Sequence, residues 1–485
     1  MNLIFERSRP GRRGVEVPRC EVPEVPAERL VPPALLRKAP AELPEVGELD
    51  VVRHYTALAH RNMSVDAAFY PLGSCTMKYN PKVNEKCARL PGLSALHPLQ
   101  PEETVQGMLK LIRDLEAHLA EIGGMDACSS QPVSGAQGEL TGLLMIRACQ
   151  KERGRDARDE ILIPDSAHGT NPATCTMVGY KAVEVRTNKR GCVDLDSLRS
   201  KLSGSTAGMM ITNPNTLGIF EENIDTISAL VHEAGGLMYM DGANMNALLG
   251  IARPGDFGID VMHYNLHKTF TIPHGGGGPG AGGVAVKKVL EPYLPVPRIV
   301  EENGRLRWSE NFPRSVGKIH STYGNVNNMV RGYAYIRSLG RGGLRRVAEH
   351  AVLNANYLLA RLKREFPVAY PRYCMHEFVL SGSHLAKETH VRTLDVAKRL
   401  IDYGFHPPTI YFPLIVPEAM MIEPTETESR ETLDAFADAL IKIKEEARTD
   451  PKLVQEAPHT TPVRRLDERT AAIQPVVRWT PAAPE

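Results

Sequence analysis

Gly-Leu-Met-Tyr-Met-Asp-Gly-Ala-Asn (236–244) is a short apolar run that ends in an acid and a small-residue turn. A run of this length, bounded by turn residues, reads as a fully buried strand. Working outward, β-branched or apolar segments of the same kind lie at 160–165, 181–185, 207–212 and 283–286, separated by helical patterns. Alternating strands and helices imply an α/β domain with a mainly parallel sheet covered on both faces, and such sheets take ligands outside the carboxyl ends of their strands. Asp241 closes the strand at 236–241, at the end where a functional group belongs.

After about residue 325 the pattern becomes helix first, with Val347, Ala351, Ala355, Leu358, Leu359 and Leu362 on one face of a helix expected over 344–365. A strand at 377–381, a helix over 391–404 stopped by Gly404, and a last helix through about 446 complete a smaller C-terminal α+β domain. Thr425 to Glu428 has capping-box spacing ahead of that last helix. Residues 1–48 are dense in proline and charge and read as an extended arm. The expected division is therefore arm 1–48, large domain 49–325, small domain 326–449 and extended tail 450–485.

Bulk composition narrows the function classes. Lys plus Arg (58) nearly cancels Asp plus Glu (57), so there is no global electrostatic case for nucleic acid or an anionic membrane. The longest apolar stretches are far shorter than a membrane span. The eight cysteines stand singly, without the spacing of a zinc site or a secreted disulfide framework, so no metal is expected and a reducing, cytoplasmic address is. Five arginines fall in the first nineteen residues, but Glu6, Glu16 and several prolines spoil an amphipathic transit helix.

Four elements carry the chemistry. In Ser-Ser-Gln-Pro-Val-Ser-Gly-Ala-Gln-Gly-Glu-Leu-Thr-Gly-Leu-Leu (129–144) a small-residue turn enters an apolar helical run; its first N–H groups favour an anion, with Ser134 and Gln137 as added donors, or it is a capped helix start without a ligand. Pro-Asp-Ser-Ala-His-Gly-Thr-Asn-Pro-Ala (164–173) follows a strand and sets His168 where an imidazole can stack on a flat ring, or where it serves structure alone. Asp241-Gly242-Ala243-Asn244 offers a carboxylate with space for a planar ligand, or a helix cap. Finally Asn-Leu-His-Lys-Thr-Phe-Thr-Ile-Pro-His-Gly-Gly-Gly-Gly-Pro-Gly (265–280) places Lys268 27 residues after Asp241. A lysine that can form a Schiff base and a carboxylate that can keep a pyridine nitrogen protonated are the two groups pyridoxal phosphate needs.

Rival motifs fail on context. The run 275–280 fits Gly-x-Gly-x-x-Gly but precedes a strand instead of following one and opening a helix. The P-loop pattern is absent, and His274-Gly-Gly-Gly, although similar to an esterase oxyanion loop, has no Gly-x-Ser-x-Gly elbow to serve.

In this order, phosphate turn, histidine, aspartate and lysine resemble an aspartate-aminotransferase-like enzyme of pyridoxal phosphate fold type I. More closely, Pro-Leu-Gly-Ser-Cys-Thr-Met-Lys-Tyr-Asn-Pro (71–81), the segments around Ser134 and His168, Met-Asp-Gly-Ala-Asn-Met-Asn-Ala (240–247) and Asn-Leu-His-Lys-Thr-Phe (265–270) resemble the P-protein family of the glycine cleavage system. By length the chain is similar to the lysine-bearing second subunit of the split form. The resemblance implies pyridoxal 5'-phosphate as cofactor, glycine as substrate, a lipoylated H-protein as acceptor, and a homologous subunit 1 with two copies of each chain. It also implies site roles. Ser134, Gly135, Ala136 and Gln137 hold the phosphate, with Thr322 as a further phosphate contact, and His168 and Ala243 sandwich the ring. Asp241 pairs with the ring nitrogen, Lys268 carries the cofactor, and His267 orients substrate or moves protons. Asn244 departs from the glutamine expected in long single-chain relatives. A non-catalytic scaffold subunit, or a decarboxylase or desulfurase of the same fold, are the alternatives.

Overall fold

The computed structural model describes residues 2–39, 41–273, 275, 280–478 and 480. Most of the glycine run at 275–280, and the His274 considered for an oxyanion loop, lie outside these residues. Backbone proximity divides the chain into two compact units, Met1–Ala67 and Ala68–Glu485. The first is mostly extended chain with short helical turns at Phe5–Arg7, Ala27–Leu30 and Pro33–Leu35, followed by the helix Glu48–Ala59. The chain folds back on itself through Arg9 N–H donating to the Glu45 carbonyl (2.9 Å) and an Arg12–Asp50 ion pair (3.1 Å).

The second unit is built on a seven-stranded sheet. Its strands are β1 (Ala127–Ser129), β2 (Glu160–Pro164), β3 (Lys181–Val185), β4 (Thr206–Thr212), β5 (Leu237–Asp241), β6 (Val261–Asn265) and β7 (Gly282–Val286). They run in the order β1-β7-β6-β5-β4-β2-β3. β6, β5, β4, β2 and β3 are mutually parallel, and β7 is antiparallel to both neighbours. The expected α/β class with a mainly parallel sheet therefore holds. β4 to β7 are buried along their whole length, which is why β4, β5 and β7 read as apolar runs and not as alternating ones. β1 and β6 escape sequence reading, β1 because it has only three residues and β6 because Val-Met-His-Tyr-Asn carries two polar side chains.

A hairpin of β8 (Arg298–Glu302) and β9 (Arg305–Ser309) follows, its Asn303-Gly304 turn at φ 53° and 74°. Positive φ at both turn residues suits asparagine and glycine and matches the twist of the strands. The helix expected over 344–365 forms as the end of a longer one, Val326–Leu362, broken at Gly340, whose φ of 59° and ψ of −175° no helix accommodates. It leads into a three-stranded antiparallel sheet of β10 (Phe378–Ser381), β11 (Thr409–Ile410) and β12 (Ala419–Ile422) in the order β10-β12-β11. The helices Thr393–Asp402 and Arg430–Thr449 cover it, around a core that includes Leu358, Phe378, Ile422, Phe436 and Leu440. Phe436 meets Phe69 edge-on at 5.1 Å, and burying such a ring contributes roughly 2–3 kcal/mol. The final long helix is capped by Ser429, which accepts from Thr432 N–H at 3.2 Å, and not by Thr425. Thr425 lies at φ 66°, and its carbonyl accepts from Asn354.

Candidate active site

Asp241 ends β5, and its carboxylate lies at the carboxyl edge of the sheet. One oxygen accepts from Ala243 N–H at 2.9 Å and lies 3.3 Å from His263 Nε2; the other accepts from Asn171 Nδ2 at 3.4 Å. Burial alone would raise the pKa of this acid. His263, His168, Lys268 and the Ala243 N–H outweigh it and hold Asp241 down at about 2. The carboxylate is therefore a fixed negative charge in a dry setting. Gly242 beside it does not make room for a ligand, contrary to the sequence reading. A Cβ there would come within 1.8 Å of the His263 carbonyl, so the glycine lets two strands approach.

Lys268 sits in the turn after β6, where its N–H donates to the Asn265 carbonyl at 3.0 Å. Its Nζ donates to the Ser74 carbonyl at 2.9 Å. The Ser74 hydroxyl in turn lies 2.8 Å from His168 Nε2. The His168 ring stacks on Phe412 with centroids 5.7 Å apart and planes 17° from parallel. Burial holds its imidazole below the ordinary histidine value and so in the neutral form.

These groups line one cavity of about 370 Å³, together with Gly73, Cys75, Gly135, Ala136, Glu139, Thr170, Ala243, Asn265, His267 and Thr409. Its size is that of a pocket for a small cofactor. The 18-residue helix Gly135–Glu152 begins at the cavity wall, so the N–H groups of Gly135 and Ala136 open onto it at the positive end of the helix dipole. A Cβ at Gly135 would lie 2.5 Å from Asn265 Oδ1, so the close fit of helix to strand needs glycine. Ser134 caps this helix by accepting from Gln137 N–H at 3.1 Å.

The residues present fit pyridoxal phosphate. A helix start can take its phosphate, an ionised buried carboxylate its ring nitrogen, and a lysine amine its aldehyde. Among the residues expected from sequence, Gly135, Ala136, His168, Asp241, Ala243, His267 and Lys268 come together at this cavity. The Gln137 side chain does not reach it: Oε1 accepts from Val133 N–H at 2.8 Å and Nε2 donates to the Ile319 carbonyl at 2.9 Å. Thr322 is exposed beside His320 and is not on the cavity wall. Sequence reasoning missed Ser74, Glu139, His263 and Phe412. Glu139 accepts from Thr170 (2.9 Å) and Thr174 (3.0 Å), fixing the helix that presents Asn171 to Asp241. His263 is one residue beyond the Met240–Met262 pair of β5 and β6, so strand register would have found it.

Comparison with known proteins agrees with this geometry. The family Glycine cleavage system P-protein matches residues 24–303, and Glycine dehydrogenase, C-terminal domain, matches 347–460. The chain is 59% identical over 479 residues to the probable glycine dehydrogenase (decarboxylating) subunit 2 of Caldanaerobacter subterraneus subsp. tengcongensis, covering 99% of both chains. It is 57% identical to the protein of the same description from Bacillus velezensis, covering 98% of this chain and 97% of that one. Among solved structures, a glycine decarboxylase (P-protein) of the glycine cleavage system in inhibitor-bound form superposes with a TM-score of 0.73 at 23% identity, covering 86% and 94% of the two chains. A Lactobacillus brevis glutamate decarboxylase gives 0.66 at 14%, covering 87% and 97%. At such identities the structures speak for the fold alone, but the sequence matches run almost from end to end, and the chain belongs to the P-protein family of the glycine cleavage system.

Proposed function

We propose that this chain is the catalytic subunit of a glycine dehydrogenase (decarboxylating), which removes the carboxylate of glycine and passes the remaining aminomethyl group to the lipoyl disulfide of an H-protein. The observation that carries this reading is the meeting of Lys268, ionised Asp241 and the Gly135 helix start in one cavity. It also argues against a non-catalytic scaffold, which needs none of the three. Pyridoxal phosphate, when bound, supplies the electron sink for the pair left behind as carbon dioxide departs.

The chain's own residues do the rest. Asp241 keeps a proton on the ring nitrogen, and its hydrogen bonds prevent it from turning away. Gly135 and Ala136 hold the phosphate through backbone N–H groups. Lys268 carries the cofactor between turnovers, and its amine, steered by the Ser74 carbonyl, is placed to move a proton once released. Neutral His168, stacked on Phe412, offers a flat face opposite Ala243 without a competing charge. His267, on the cavity wall with Nδ1 3.1 Å from the Ala281 carbonyl, orients the substrate.

The relatives are described as subunit 2, which supports a homologous subunit 1 as partner, and we extend this to two copies of each chain. No described helix is long and apolar enough to cross a membrane. The singly scattered cysteines fit a reducing cytoplasm. The test is exchange of labelled carbon dioxide into the carboxyl of glycine, with H-protein, by the chain and its partner subunit. Borohydride should leave the cofactor on the peptide containing Lys268. A label on another peptide would sink the assignment of Lys268, and exchange with a different amino acid but not glycine would move the chain to another activity of the same fold.

A further inference from the structure

Outside the cavity, one cluster of three ionisable side chains is fully enclosed: His376 and Glu377, which lead into β10, and Glu423, which follows β12. The antiparallel register pairs Phe378 with Ile422, so Glu377 and Glu423 stand opposite each other one step further on. Two acids opposed in this way, without a cation between them, repel. They are nevertheless held tightly. Glu377 accepts from Ser74 N–H at 2.6 Å and from Asn244 Nδ2 at 3.3 Å; Glu423 accepts from the Thr76 N–H at 3.0 Å and the Thr76 hydroxyl at 2.5 Å. The segment they grip includes Ser74, whose φ of 59° is unusual for a residue with a side chain. Its carbonyl is the one that accepts from Lys268 Nζ.

His376 supplies the missing partner. Neither ring nitrogen has a hydrogen bond, and Nε2 lies 4.0 Å from Oε1 of each glutamate. At that distance no hydrogen bond is closed, but an enclosed imidazole with a free ring nitrogen offers an acceptor to a carboxyl proton after a small side-chain rotation. Among the described residues, the charged groups facing the cluster are Lys268 and Lys78, and Lys78 is already committed to Glu426 at 2.7 Å. Its other ionisable neighbours are Cys75 and Cys374. A divalent metal is the competing occupant, but bonds of about 2.0–2.2 Å would draw the three donors well inside their present spacing and loosen the hold on Ser74 and Thr76.

We propose that His376, Glu377 and Glu423 form a positioning unit that binds one proton, keeps a single negative charge beside Lys268, and sets that lysine through the backbone of Ser74. Burial agrees, since it raises both glutamates, Glu377 further through the charge of Glu423, and keeps His376 neutral. The inference rests on Lys268 as the cofactor lysine.

Two measurements keep its failure distinct from the failure of that assignment. In the cofactor-free chain with its partner subunit, difference infrared spectroscopy should show the carbonyl stretch of a buried protonated carboxyl. At alkaline pH either Glu377→Gln or Glu423→Gln should abolish it, because an acid without a like charge opposite it ionises before the pair gives up its shared proton. In the loaded protein, each single variant keeps the negative charge, so the pH titration of the cofactor–lysine absorbance stays in place. The double variant loses the charge, and the titration moves to lower pH by about one unit. No carboxyl band in the unaltered protein, single variants that shift the titration as far as the double one, or one equivalent of divalent metal lost on Glu377→Gln would each overturn the proposal. Should the double variant not fold, the infrared bands of the single variants decide it. Borohydride labelling away from Lys268 would instead sink the cofactor assignment and leave the infrared result standing.

Discussion

The Asp241 carboxylate and the His263 imidazole meet at 3.3 Å on neighbouring parallel strands, both almost fully buried, and form the floor of the cavity. His263 is held in turn by the Tyr239 hydroxyl, 2.5 Å from Nδ1. A ring nitrogen held by Asp241, as proposed, would therefore rest on groups fixed by the sheet itself. A loop would let the carboxylate swing out to water, whereas strand register does not.

Stability should report this arrangement through pH. The pKa of Asp241 falls from 3.8 to about 2 on folding, so the folded state prefers it ionised. The stabilisation is present above the unfolded value, amounts to roughly 2 kcal/mol, and is lost as pH falls through about 2. Urea unfolding of the cofactor-free chain and of Asp241→Asn should differ most near neutral pH and converge in acid. A gap that stays constant with pH would mean that the carboxylate is not specifically stabilised.

Activity should separate from binding in the same variant. The amide in Asp241→Asn keeps the shape of the carboxylate but cannot hold a proton on the ring nitrogen, so glycine exchange should fall by about 100-fold or more. Borohydride should still trap the cofactor on Lys268, because that attachment does not involve the carboxylate. Loss of trapping to the same extent as activity would place Asp241 in cofactor retention instead.

How far the sequence reveals this site depends on whether a residue's role is local. Asp241 and Lys268 are legible because strand ends and turns are local patterns, and the parallel sheet follows from five apolar runs. Gln137 misleads for the same reason: beside a helix start it looks like a phosphate donor, but its amide closes backbone gaps at Val133 and Ile319. His263, Glu377 and Glu423 acquire meaning only from which strand lies beside which, and register is set by tertiary packing. Ser74 lies in a long specific motif, yet its part depends on a left-handed backbone that the residue type does not announce.

Gly242→Ala tests the close approach of strands below the cavity. The added Cβ would sit 1.8 Å from the His263 carbonyl, which is backbone and cannot rotate away. The expected cost is about 1–3 kcal/mol, as for overpacking elsewhere. Cofactor occupancy should fall with it, because the strain separates Asp241 from His263. Full occupancy in a destabilised variant would show that the two strands can part without disturbing the site.

Lys78 offers the sharpest stability prediction. Its side chain is 1% exposed, and Nζ bonds Glu426 at 2.7 Å, Asn246 at 2.8 Å and the Tyr335 hydroxyl at 3.2 Å. Lys78→Met leaves Glu426, itself only 8% exposed, as an uncompensated buried charge, a loss of about 3–5 kcal/mol by chemical denaturation. Adding Glu426→Leu removes that charge and should restore more than half of the loss. It cannot restore all, since Asn246 and Tyr335 still lack a donor. A double variant as unstable as Lys78→Met alone would place the cost in packing around the lysine stem and not in the orphaned carboxylate.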